Sequence, residues 1–211
     1  MMNEYELSKI REIFSRLFVL AIKHKMNLKS FTFLLGKSTF INKIEKNIYD
    51  EYFDKPIEEI FNAITGLLIE NDDSYGIYND AYWAGYSYFN LYIFLHKNFA
   101  YLFLKLPLDK MLDIYSIFHE MDVSALIDHF NELETKQTIL RILCTNKHCS
   151  LRDINIATSI NINTLMKYNA CDESLYNGSF QNMIKLALYF DVPISLFMKE
   201  NYDFIIQKQV S

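Results

Sequence analysis

Five glycines and three prolines in 211 residues leave little material for tight turns. An all-β chain needs a turn about every eight to twelve residues, whereas helices need far fewer breaks. The apolar residues also recur at spacings of three and four rather than in alternation, so the expected fold class is all-α. Hydrophobic residues make up 51% and charged residues 22%, which is enough to bury a core and excludes a disordered composition. The 17 Phe and 15 Tyr make that core aromatic, and its buried tyrosine hydroxyls will need partners.

The first residues do not read as a secretory leader. Glu4 and Glu6 stand where a basic segment belongs, and Lys9, Arg11 and Arg16 interrupt the apolar residues that follow. The longest apolar stretch, residues 81–95, falls short of the roughly 20 residues a bilayer demands. A cytoplasmic location with no membrane contact is therefore expected. Cys144, Cys149 and Cys171 are odd in number and read as reduced thiols rather than a disulfide framework. With His148 they contain zinc-ligand types, but no paired CxxC spacing, so neither a metal nor a cofactor is expected.

Residues 4–26 place Leu7, Ile10, Phe14, Leu17, Phe18, Ala21 and Ile22 on one helical face. A second helix starts at Leu28 and should break at Gly36, and Ser38 should cap a third. Pro56 followed by Glu58 and Glu59 starts another, expected to reach about Asn71, where Asp72, Asp73, Ser74 and Gly76 form a loop. Residues 77–96 read as a central aromatic helix in which Ala81, Ala84, Gly85 and Ser87 permit close approach by a neighbour. Helices over residues 99–105 and 108–120, and one from Asp122 through Phe130, complete this part. Residues 1–135 carry 13 basic and 20 acidic residues, net −7, and residues 136–211 carry 8 and 6, net +2. The expected division is an aromatic-rich helical bundle over 1–135, for dimerisation or partner binding, followed by a helix-turn-helix domain over 136–211.

The second region carries the most specific pattern. Residues 137–145 form a helix burying Ile139, Leu140, Ile142 and Leu143. Residues 150–168, SLRDINIATSININTLMKY, then begin with Ser150 and Asp153 as a capping box, and Ile154 and Ala157 are expected to face inward. Thr158 and Ser159 stand at the turn, Ile160 pins it from beneath, and Asn161 caps a second helix that buries Leu165 and Tyr168. This order of residues resembles the Xre-type helix-turn-helix of Cro-like repressors. Residues 179–197, SFQNMIKLALYFDVPISLF, resemble the family's fourth helix, connection and closing helix. The sequence departs from the family at Asn155, where Ala is usual, and at Ser159, where Gly is usual.

The resemblance implies docking on double-stranded DNA as a homodimer. Asn161, Asn163, Thr164 and Met166 would present to the major groove beside Ile162, and Lys167 and Arg152 would hold phosphates, with Lys147 a further candidate. A helix-turn-helix also serves as a scaffold for binding proteins, so an interaction module is the alternative. Phe31 to Ser38, the run Tyr82 to Tyr86 and the run His119 to Asp122 resemble uncharacterised helical proteins of Gram-positive bacteria and their mobile elements, which implies an antitoxin-like or regulatory role.

No pattern calls for an enzyme. His119, Glu120 and Asp122 lack a second histidine at metalloprotease spacing and read as a helix end. Trp83 with Tyr82, Tyr86 and Tyr88 reads as core rather than as a base-stacking platform. Asp72, Asp73 and Asp80 lack the frame of a calcium loop.

Overall fold

The computed structural model describes residues 4–48, 50–69 and 78–199, and among these it is helical throughout, with no strand. The long first helix α1, Glu4–Lys23, buries Ile10, Phe14, Leu17, Phe18 and Ala21, the face set by its apolar spacing. Asn27 accepts from Ser30 N to cap α2, Leu28–Lys37, which continues through Gly36 instead of breaking there. Ser38 ends it and, accepting from Ile41 N, caps α3, Thr39–Glu45. The helix after Pro56, α4, Ile57–Thr65, is shorter than its sequence suggests. Gly66 closes it with φ +72°, a left-handed value that glycine adopts without penalty, so the chain turns before Asn71.

The aromatic helix α5, Asn79–Leu95, is the centre of the bundle and packs along α1. Gly85 is where the two backbones cross: a Cβ there would lie 2.6 Å from Ser15 Cα and 2.9 Å from the Phe14 carbonyl oxygen. Around this crossing Phe14 meets Phe99 at 4.7 Å, Phe18 at 5.4 Å and Phe89 at 6.0 Å between ring centroids. The fully buried Tyr88 donates its hydroxyl to the Leu106 carbonyl at 2.5 Å, which meets the need of a buried phenol. Burial holds its pKa well above the ordinary value.

Helix α6, Phe99–Lys105, is capped by Asn98 and lies between α5 and the C-terminal part of the chain. The expected helix over 108–120 divides at Ile114 into α7, Leu108–Asp113, and the single turn α8, Tyr115–Phe118. Asp122 caps α9, Val123–Lys136, which runs past Phe130 because nothing between Asn131 and Lys136 breaks it. The charge change near residue 135 therefore falls at a helix end. Beyond it come α10, Ile139–Lys147; α11, Leu151–Thr158; α12, Ile162–Ala170; α13, Asp172–Tyr176; α14, Phe180–Phe190; and a 3-10 turn over Ile194–Phe197.

One cluster of buried side chains extends from Ile10 to Phe197 and includes members of both regions. At their contact Lys105, its side chain 1% exposed, donates to the Gln137 carbonyl and to Asp172 Oδ2 at 3.2 Å. The other Asp172 oxygen accepts from Ile139 N at 2.7 Å. One carboxylate thereby joins the end of α6, the first turn of α10 and the start of α13. Asn98 Nδ2 donates to the Ser195 carbonyl at 2.9 Å and Lys37 pairs with Asp191 at 2.5 Å, extending the contact.

Candidate nucleic-acid interface

The candidate surface is carried by α11, a three-residue turn and α12. Ser150 accepts from Asp153 N, and Asp153 accepts from Ser150 N at 2.8 Å, so the capping box that starts α11 is complete. The Ser150 backbone bond, followed by its hydroxyl, holds the Asp153 carboxyl below the usual range. Ile154 and Thr158 face inward; Ala157, expected to do so, is exposed. Position 157 lies three residues from 154 and 158 four, so both border the same face, and the packed neighbours cover the Thr158 side of it. Thr158 satisfies its buried hydroxyl on the Ile154 carbonyl at 2.6 Å.

The turn follows the sequence pattern at both unusual positions. Ser159 sits at φ +57° and ψ +24°, a left-handed conformation that costs a residue with a Cβ, and donates its N–H to the Asn155 carbonyl at 2.9 Å. Asn155 Nδ2 donates to the Ile160 carbonyl at 2.7 Å, bracing the turn it flanks. Ile160 is 2% exposed and fills the space beneath.

Asn161 caps α12 by accepting from Asn163 N at 2.8 Å. Leu165 and Tyr168 are buried against α10, α11 and α13. Of the residues expected to contact DNA, Arg152, Asn161, Asn163, Met166 and Lys167 are exposed, and Thr164 is half-buried. Asn163, Met166 and Lys167 follow one another at i, i+3 and i+4, so they share a face. The Asn161 oxygen is committed to the cap, which leaves its amide N–H groups for a ligand. Lys147 lies apart from this set: its ammonium donates to the Tyr189 carbonyl and lies 4.4 Å from the centre of the Tyr189 ring.

No family model matches the chain, and neither does a curated protein or a solved structure. Sequence reasoning missed the exposed apolar side chains around the site. Ile156 on α11 is 73% exposed, and Phe180, Ile184 and Leu188 form an outward row on α14, with Leu188 77% exposed. The i, i+4, i+8 spacing of that row was a readable signal, but such a row is ordinarily taken as core-facing.

The other candidates resolve into structural roles. His119 Nδ1 lies 2.9 Å from the Tyr115 carbonyl and its ring stacks on Tyr115, while Asp122 caps α9. Trp83 packs edge-on to Tyr115, Tyr82 donates to Glu12, and Tyr86 lies under the Arg11 guanidinium, so these rings do not form an open stack. Asp72 and Asp73 lie outside the described residues. Among the described residues no group of three or more metal-binding side chains converges, and no helix is long and apolar enough to cross a membrane.

Proposed function

We propose that this protein is a sequence-specific DNA-binding regulator in which an Xre-type helix-turn-helix over 136–211 inserts α12 into the major groove. The observation that carries the reading is the left-handed bend at Ser159 over buried Ile160, with Asn163, Met166 and Lys167 exposed beyond it. Asn163 is suited to bidentate reading of adenine, and Met166 and Ile162 to contact with a thymine methyl group. Lys167 and Arg152 supply the phosphate contacts. Two cations per copy make a sparse electrostatic footprint, so binding requires a homodimer on a twofold operator. The aromatic region over 1–135 then serves dimerisation or an antitoxin-like partner contact.

Gel shift with a randomised duplex pool, followed by titration of the selected duplex across salt concentrations, tests this. Asn163→Ala should relax sequence preference. Lys167→Ala should weaken binding to all duplexes similarly and lower the salt slope by about one per copy. Selection that enriches no sequence, or wild-type binding by both variants, refutes it.

The second reading is a protein-interaction module that uses the helix-turn-helix as a scaffold. The exposed row of Phe180, Ile184 and Leu188 along one face of α14 favours it, since a contiguous apolar surface ordinarily marks a protein contact. Asp substitutions at Phe180 and Leu188 that abolish capture of a partner while leaving the gel shift unchanged would support it.

A further inference from the structure

The C-terminus of α10 holds a pair of thiols that the DNA reading does not use. His148 adopts φ +52° after α10, and the chain folds back so that Cys149 N donates to the Cys144 carbonyl at 3.0 Å, with His148 N donating to the Thr145 carbonyl at 3.3 Å. These two bonds define a Schellman turn, which brings together the side chains at the two ends of its longer bond. Here those side chains are Cys144 and Cys149. Both are free and partly accessible. A hollow of about 510 Å³ opens beside them, bordered by Arg141, Thr145, His148 and Asn169.

We propose that Cys144 and Cys149 form a modification site that low-molecular-weight disulfides, of the glutathione disulfide class, oxidise reversibly to an intramolecular disulfide. The Schellman turn ties the Cys149 amide to the Cys144 carbonyl, which places the two residues side by side as such a bond requires. Arg141 offers an exposed cation at the rim of the hollow for an oxidant bearing carboxylates.

The order of steps follows from the two environments. Burial, reinforced by the neighbouring Cys149, raises the pKa of the Cys144 thiol, and we assign the first attack to Cys149. Its thiolate attacks one sulfur of the oxidant RSSR, forming Cys149–S–S–R and expelling RS⁻. Cys149 then carries no negative charge to oppose ionisation of Cys144. The Cys144 thiolate attacks the Cys149 sulfur, forming the Cys144–Cys149 bond and expelling the second RS⁻. The protein loses two electrons and two protons, and RSSR becomes two thiols. Cys171, exposed at the junction of α12 and α13, takes no part and would carry at most a mixed disulfide.

Glutathione disulfide added to the folded full-length protein, followed by alkylation, intact mass and peptide mapping, tests the proposal. Oxidised Cys171→Ser should lose two hydrogens, about 2 Da, with both of its thiols protected in one cross-linked peptide, and dithiothreitol should reverse the loss. Cys144→Ser, lacking the resolving thiol, should instead retain a glutathione adduct on Cys149. An adduct persisting on Cys149 when Cys144 is present, or both thiols remaining alkylatable, overturns the proposal. The readout does not involve DNA, so it stands or falls apart from the gel shift.

Discussion

Replacing Lys105 with Met removes the cation from the junction between the two regions without removing the aliphatic stem that fills it. The Lys105 side chain is 1% exposed and that of Asp172 17% exposed, so water would not compensate the abandoned carboxylate fully. Breaking a buried pair on one side costs about 3–5 kcal/mol. The lower end applies here, because Asp172 keeps its bond from Ile139 N and some contact with solvent. We therefore expect Lys105→Met to lower the unfolding free energy by about 3 kcal/mol, a large share of a typical total of about 5–15 kcal/mol. Urea unfolding followed by far-ultraviolet circular dichroism measures it. Lys105→Met with Asp172→Leu should recover part of the loss but remain about 1–2 kcal/mol below wild type, since Ile139 N is then left without its acceptor. A cost under about 1 kcal/mol for Lys105→Met, the range of a surface pair, would refute the idea that this contact holds the two regions together.

Gly85→Ala should destabilise by at least about 1–3 kcal/mol in the same assay, because the added methyl meets the backbone of α1 rather than a side chain that can swing aside. Ser159→Gly should stabilise by about 1 kcal/mol by relieving the left-handed conformation, and Asn155→Ala should destabilise by about 1 kcal/mol through loss of its bond to Ile160. Stability should decline at alkaline pH. The Cys144 thiol rises from its ordinary 9.0 to about 12 and the Tyr82 hydroxyl from 10.0 to about 12, both chiefly through burial. The folded protein therefore keeps protons that the unfolded chain releases, so the stability these groups contribute is complete below pH 9 and is lost as pH rises towards 12. Urea midpoints across that window should fall less steeply for Cys144→Ser than for wild type.

The sequence by itself determined the helical class, most helix starts and the bend at Ser159. Each depends on residues near one another in the chain: Asn27, Ser38, Asn98, Asp122, Ser150 and Asn161 bond amides two or three positions ahead, and Ile160 fills a turn made by its neighbours. Helix ends and facing were less legible. Gly66 stopped α4 early, α9 continued through an acidic stretch read as a boundary, and Thr158 rather than Ala157 turned inward. Only the tertiary structure decided that Lys105 meets Asp172, that Gly85 lies against the backbone of α1, and that Phe180, Ile184 and Leu188 face outward. Lys105 and Asp172 are 67 residues apart, and Gly85 and Ser15 are 70 apart. Local propensity carries no information across such separations, and the face a helix buries is set by the area its neighbours remove from water.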